Sequence, residues 1–479
     1  MPRRHRRRIL TVLTAGALLS APTLIGAAGP AQATAPTCTS TASTRVPGIT
    51  IADPSCGFTA SNGSSVYAGI LKGSAYRIEV PARWNGSLVM YAHGFAGTGQ
   101  TVAVQNPSLR SYYLANGFAW AASSYRQNGY NVGDGVIDTH DLLVNFRALT
   151  HQRAPRTTYL TGPSMGGEIT VAALERYRGT FAGAMPYCGA VGGNRLFDYF
   201  LGANVTAAAL TDTTIDFPAT AAAGVAYAPT YAQQVQGQLT KLGVSTATAP
   251  YTTNLTPVGQ QWSAAVEQLS GGTRPGFAGA LAYWNGFGFP PVTSLPFLFG
   301  IYPVLSGGTI GYADGNVTDN TRTAYQLDNK RGLSRAEREL NAKVLRVAAT
   351  NTPTTDAARS QLPEVTGTPG VPVLSLHGIG DLFVPLKMEQ VYQRQVIANG
   401  QGRLYVGRAI RSVGHCDFSQ TELSEGFADL VTWVQRGQRP AGDDLLSRRA
   451  VADPAFGCAF TRDPHANFTG TAACPTLTR

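Results

Sequence analysis

From residue 76 to 190 the chain alternates short apolar runs with longer stretches in which apolar side chains recur every three or four positions. The runs "YRIEVP" (76–81), "SLVMYAHG" (87–94), "FAWAASSYR" (118–126), "TTYLTGPS" (157–164) and "FAGAMPYC" (181–188) predict strands. Several are apolar at consecutive positions, which suits strands buried on both faces. Between them, "VIDTHDLLVNFRALTHQ" (136–152) gathers Ile137, Leu142, Val144, Phe146 and Leu149 on one broad helical face, and "GGEITVAALERYRG" (166–179) predicts a second amphipathic helix. Strands alternating with helices imply a mostly parallel sheet covered on both sides.

The alternation stops near Gly192. As far as Leu345 the chain is rich in Ala, Thr, Gly and Tyr, with helical patterns in "FDYFLGANVTAAAL", "YAQQVQGQLTKLG" and "LSRAERELNAKVLRVAA", and an aromatic, proline-rich stretch at 283–303. The strand–helix pattern then resumes with "VPVLSLHG" (371–378), a helix near 386–399, "RLYVGRAI" (403–410) and the helix "TELSEGFADLVTWVQRG" (421–437). The middle segment thus reads as an insertion into one sheet. The expected organisation is a first core part over 34–190, an inserted, mainly helical cap over 191–345, a second core part over 346–440 and a tail over 441–479. A hydrophobic content of 43% is ample for a packed core of this size.

Charge adds little, once the start of the chain is considered. "MPRRHRRRILTVLTAGALLSAPTLIGAAGPAQATA" has an arginine-rich start, an uncharged apolar middle and a small-residue "AQA" ending at Ala33, the pattern of an export signal over 1–33. "RRRIL" fits the twin-arginine and the general secretory routes alike. Without that segment, which holds five arginines and no acid, the formal charge falls from +10 to +5 and no dense basic stripe is left. A nucleic-acid partner is not expected. The later apolar stretches are too short and too interrupted to span a bilayer, so no stable membrane insertion is expected.

Six cysteines in an exported chain favour three disulfides over free thiols or metal ligands. Fifteen pairings are open. Proximity suggests Cys38 with Cys56 and Cys458 with Cys474, which leaves Cys188 for Cys416.

The candidate chemistry starts from "YLTGPSMGGEIT" (159–170). With 54 glycines a G-x-S-x-G match arises by accident roughly 0.4 times in such a chain, so context must decide. Ser164 sits at a strand-to-helix junction, where a tight turn would lift the hydroxyl above the sheet edge; the bland alternative is a helix-capping serine. A serine nucleophile needs a base, a group orienting that base, and donors for an oxyanion. "LSLHGIGDLFVP" places Asp381 after a second apolar strand, either as the orienting acid or as a cap for the next helix. "IRSVGHCDFS" places His415 in a loop after the next strand; Asp417 is too near in sequence to turn back on it. The "HGF" loop in "YAHGFAGTG" (91–99) would aim the amide of Phe95 or Ala96, with that of Met165, at one point, or else is only a glycine-rich turn.

The order Ser164, Asp381, His415, with "GPSMGG", "HGFAG", "LHGIGDLFVP" and "VGHC", resembles the α/β-hydrolase superfamily over residues 70–190 and 370–437. The resemblance implies an α/β fold with an eight-stranded, mostly parallel sheet, helices on both faces, a Ser-His-Asp triad, no metal and no cofactor. Cys416 beside His415 resembles the tannase and feruloyl-esterase type, in which a disulfide ties the histidine loop near the nucleophile. Here Pro163, not Cys, precedes Ser164, so Cys188 would do the tying.

The reading is a secreted carboxylic-ester hydrolase acting on a small-molecule or oligomeric ester or amide. The alternatives are an amidase or peptidase with the same triad, an acyltransferase, or a non-catalytic binding protein on the same scaffold. Trp262, Trp284, Phe287, Phe289, Phe297 and Phe299 would line an apolar pocket or form the cap's own core. Arg126, Glu168 and Asp198 flank the site and are expected in ion pairs.

Overall fold

The computed structural model describes residues 38–218, 220–244, 254–289, 292–305, 316–352, 363–469 and 474. The export signal expected over 1–33 lies outside the described residues.

Eight strands form the central sheet: β1 (Ser65–Leu71), β2 (Ser74–Val80), β3 (Ser87–Tyr91), β4 (Ala119–Ser123), β5 (Thr157–Pro163), β6 (Gly183–Tyr187), β7 (Val373–Gly378) and β8 (Tyr405–Ile410). Their order across the sheet is β1-β2-β4-β3-β5-β6-β7-β8. Every pairing is parallel except those of β2, which runs against both β1 and β4. An eight-stranded sheet in this order, with one reversed strand, is the α/β-hydrolase fold.

The strand sequences explain why both faces are covered. In β3, Leu88 and Met90 point into one hydrophobic layer while Val89 and Tyr91 point into the other, and all four are buried. The first layer is closed by α2 (Val132–Thr150) and α3 (Met165–Arg176), through side chains such as Phe146 and Ile169. The second is closed by α1 (Arg110–Ala115) and α11 (Gln420–Arg436), with Tyr113, Phe427 and Leu430. Val144, which the spacing places on the apolar face of α2, is 57% exposed; Val136 and Val132, about two and three turns earlier, are buried instead. The sequence pattern also missed β1. Its residues "SVYAGIL" are mostly half-buried edge positions, and the strand exists because the tight turn at Lys72–Gly73 folds it back on β2.

Residues after β6 carry the helices α4 (Arg195–Leu210), α5 (Ala221–Leu242), α6 (Pro257–Ser270), α7 (Phe277–Asn285), α8 (Phe297–Gly300) and α9 (Arg335–Lys343), plus an antiparallel pair of short strands, Gly288–Phe289 and Val292–Pro296. This cap is mainly helical. It does not close on itself: its buried side chains are continuous with those of the sheet layer above α2 and α3. The chain then returns to β7, α10 (Lys387–Ala398), β8, α11 and a tail holding α12 (Arg448–Val451).

The structure joins Cys38 to Cys56, Cys188 to Cys416 and Cys458 to Cys474. No helix among the described residues is long and apolar enough to cross a membrane.

Candidate active site

Five loops leave the carboxyl ends of β3, β5, β6, β7 and β8 and meet above the sheet edge. The tightest is the turn from β5 into α3. Ser164 holds φ 55° and ψ −125°, a conformation that side chains with a Cβ rarely adopt. Its backbone is fixed on both sides, with N–H donating to the Tyr187 carbonyl at 3.1 Å and C=O accepting from Gly167 at 2.8 Å and Ala190 at 3.1 Å. The neighbouring glycines are a steric requirement. A Cβ on Gly166 would lie 2.0 Å from the Ala92 oxygen, one on Gly162 2.4 Å from the Gly166 oxygen, and one on Gly167 2.5 Å from the Gly189 Cα. Strand, helix and the loop after β3 therefore touch at backbone distance, and the strained serine is held there.

The Ser164 Oγ lies 2.8 Å from His415 Nε2, and His415 Nδ1 lies 2.6 Å from Asp381 Oδ2. A buried carboxylate only accepts, so Nδ1 carries the proton and the Nε2 lone pair faces the serine hydroxyl. Asp381 is fully buried, and its other oxygen accepts from the amides of Phe383 at 2.8 Å and Val384 at 3.0 Å. It caps no helix; it closes the turn before α10. Asp417 instead pairs with His465 of the tail at 3.1 Å.

The acid turn rests on groups that sequence reasoning had passed over. His377 Nε2 donates to the Val384 carbonyl at 2.7 Å, while its Nδ1 faces Glu389 at 3.1 Å. Glu389 also accepts from Ser375 at 2.8 Å and from the Tyr405 hydroxyl. Burial alone would depress the His377 imidazole, but the adjoining Glu389 carboxylate raises it above the ordinary histidine value. Held between the Glu389 carboxylate and the Val384 carbonyl, the buried His377 ring thus pins the residue that hydrogen-bonds Asp381.

The loop after β3 passes directly over the serine: a Cβ on Gly94 would lie 3.3 Å from Ser164 Cβ. Below it, His93 stacks on Tyr125 with ring centroids 4.0 Å apart and donates from Nδ1 to the Gly94 carbonyl at 2.7 Å. Among the described residues, the amides of Phe95, Ala96 and Met165 have no hydrogen-bond acceptor within the protein. Met165 opens α3, so the helix N-terminus also points at this spot.

The disulfide between Cys188 and Cys416 ties the end of β6 to the histidine loop. Its sulfurs and a His415 ring nitrogen all lie within 4.8 Å of one another. Both half-cystines have positive φ, 44° and 58°.

A cavity of about 40 Å³ opens beside Ser164, lined by Phe95, Tyr130, Phe197, Phe200, Ile301 and Phe383 among others. None of Trp262, Trp284, Phe287, Phe297 and Phe299 is among its lining residues. Trp262 is buried inside the cap, its indole donating to the Ala203 carbonyl at 2.9 Å and its ring packed on Phe299. Trp284 reaches out of the cap to donate to the carbonyls of Gly380 at 3.1 Å and Val413 at 3.0 Å, joining the acid and histidine loops. Phe287 is 36% exposed and packs on Trp284. The side chain of Phe289 lies outside the described residues. Trp262 and Phe287 are thus spent on packing and Trp284 on bridging two loops, while the pocket draws on two other aromatic residues of the cap, Phe197 and Phe200 of α4, and on Phe383.

Arg126 pairs with Asp138, and Asp198 with Arg195 at 3.2 Å, as expected. Glu168 differs. It is fully buried on α3, accepts a 2.6 Å hydrogen bond from the Tyr130 hydroxyl, and has no partner at Oε1. Burial pushes its carboxyl up to about 8, so it is neutral at pH 7.

The chain has the α/β-hydrolase fold, with this cluster of loops gathered at the carboxyl ends of its parallel strands. No family model matches the chain. An 83-residue stretch, 17% of the chain, is 36% identical to an o-phthalyl amidase of Xanthobacter agilis and spans 18% of that protein's length. Similar solved structures include feruloyl esterase B from Aspergillus oryzae, at 16% identity and a TM-score of 0.46 over 83% of this chain and 86% of that one. They also include the tannin acyl hydrolase of Aspergillus niger, at 14% identity and 0.39 over 84% and 82%. A third is an esterase of Exiguobacterium antarcticum, at 12% identity and 0.32 over 78% and 99%.

Proposed function

We propose that this protein is an exported serine hydrolase that cleaves carboxylic esters through an acyl-enzyme. The observation that carries the reading is the hydrogen-bonded line from Asp381 through His415 to Ser164, with the serine held in a strained turn. In this mechanism Ser164 Oγ attacks the acyl carbon as its proton passes to His415 Nε2, and Asp381 holds the imidazolium that forms. The carbonyl oxygen, now an oxyanion, accepts from the Met165 amide and from that of Phe95, which shares the pocket lining with Ser164. Ala96 is exposed and so is the weaker candidate for the second donor. His415 returns the proton to the leaving alkoxide, then activates a water that releases the acid.

The pocket favours a short acyl group. On the scale where one water takes about 10–15 Å³, its 40 Å³ holds roughly three waters' worth of apolar space. A second reading, amide hydrolysis by the same residues, is favoured by the 36% identical stretch shared with an amidase.

Both readings are tested by labelling the mature protein with a fluorophosphonate, with Ser164→Ala as control, and then comparing p-nitrophenyl acetate, p-nitrophenyl octanoate and acetanilide-type amides. Label on the Ser164 peptide with acetate ester turned over fastest is the expected result. Faster amide cleavage moves the amidase reading ahead, and absence of label from folded protein removes both.

A further inference from the structure

Away from Ser164, a second cavity of about 220 Å³ lies where the cap, α10 and the tail meet. Lys387, Gln390 and Arg394 line it from α10, Thr273 from the loop after α6, and Arg448 from α12. Three cations share this space, and no Asp or Glu is among the lining residues. Neither Lys387 nor Arg394 forms an ion pair with any described residue. Arg448 donates to the backbone carbonyls of Asn329 and Lys330, which carry no net charge.

Glu267 accepts from the Arg274 amide and the Thr273 hydroxyl, both at 3.4 Å, and Asp328 pairs with Lys330 at 3.4 Å while also feeling the Arg448 charge. Gln390 does not compensate either, because both its amide hydrogens go to the carbonyls of Gly271 and Leu445. Burial, then the charges of Arg394 and Arg448, push the Lys387 ammonium down to about 8. It therefore remains a cation at pH 7, in a setting that opposes that charge. Arg394 and Arg448 are exposed at the cavity mouth, whereas Lys387 is half-buried, and holding its charge beside two others of the same sign costs stability that packing alone does not explain.

We infer that this cavity binds a small anion through a carboxylate or phosphate group, with Lys387 as the inner contact and the Arg394 and Arg448 guanidinium groups at its rim. Guanidinium and ammonium groups are the side chains suited to such oxyanions. On the scale used above, the volume corresponds to more than ten waters, enough for a small organic acid as well as for inorganic phosphate. Its occupant would link the cap, the helix that follows the Asp381 turn and the tail. The inference does not depend on the proposed hydrolase activity.

The test is calorimetric titration and thermal melting of the mature protein with inorganic phosphate and with succinate, against sodium chloride at equal ionic strength. Binding of either anion, with a melting shift that chloride does not reproduce, is the expected result; which anion binds tells phosphate from carboxylate. Lys387→Gln and Arg394→Gln should each weaken binding at least tenfold with an unchanged near-ultraviolet dichroism spectrum. Lys387→Gln should also melt higher than the parent when no anion is present, because it removes the like-charge repulsion. The proposal is overturned if neither anion binds, if chloride gives the same shift, or if both variants bind as the parent does.

Discussion

Asp381→Asn isolates the role of one proton. Asp381 Oδ1 faces two amide donors, Phe383 and Val384, so the asparagine oxygen must take that position and its NH2 must face His415 Nδ1. An NH2 group cannot accept, so Nδ1 gives up its proton to become the acceptor and the imidazole proton moves to Nε2, against the Ser164 hydroxyl. The ring then has no lone pair for the serine proton. From the cost of a wrong tautomer in serine hydrolases, kcat/KM should fall by about 10³–10⁴, equivalent to roughly 4–5.5 kcal/mol of transition-state stabilisation. Stability should change by only about 1 kcal/mol, since both backbone hydrogen bonds are kept. The assay is p-nitrophenyl acetate turnover with the fluorophosphonate labelling rate, beside urea denaturation. Asp417→Asn is the control, because that carboxylate faces His465 and should leave turnover within about threefold of the parent. A fall of less than tenfold in Asp381→Asn, or an equal fall in Asp417→Asn, would refute the reasoning.

Replacing Cys188 and Cys416 together by alanine opens a link spanning 228 residues, which chain entropy values at about 5 kcal/mol. The denaturation midpoint should drop sharply and turnover should fall, and reductant should reproduce both effects in the parent. Glu168 has a folded value near 8 against 4.5 unfolded, so the stability associated with its proton is complete below pH 4.5 and is lost as pH rises through 8. The loss is on the order of 4–5 kcal/mol. Glu168→Gln keeps an acceptor for Tyr130 and should melt above the parent at pH 9 but not at pH 5, as thermal scans at the two pH values would show. Trp284→Phe leaves the Gly380 and Val413 carbonyls without their indole donor, at a cost of about 1–3 kcal/mol. Turnover should fall more than tenfold while urea denaturation still shows a cooperative transition.

What could be read from the sequence was whatever depends on local pattern. Buried parallel strands announce themselves as apolar runs, and β3, β5 and β7 fall within a few residues of the expected bounds. The elbow, acid turn and histidine loop each follow such a run, so Ser164, Asp381 and His415 could be named before their distances were known. The pocket could not. An aromatic side chain that lines a cavity and one that fills a cap have the same composition and spacing, and only the cap's folding decides that Trp262 turns inward while Phe200 and Phe383 face the serine. Glu168 differs from the expectation for a related reason: its neutrality follows from its burial with no cation beside it among the described residues, which spacing along the chain does not reveal.

The two halves of the sheet are separated by the whole length of the cap, and His415 stands 251 residues beyond Ser164. On the proposed mechanism, a ribosome that has released the elbow has released only a hydroxyl without a base. Translation must pass the end of β8 and the histidine loop, and the cap must have folded between them, before any bond can be broken. Truncated chains ending within the cap should therefore be inert towards esters, so that activity first arises only once nearly the whole chain has been made.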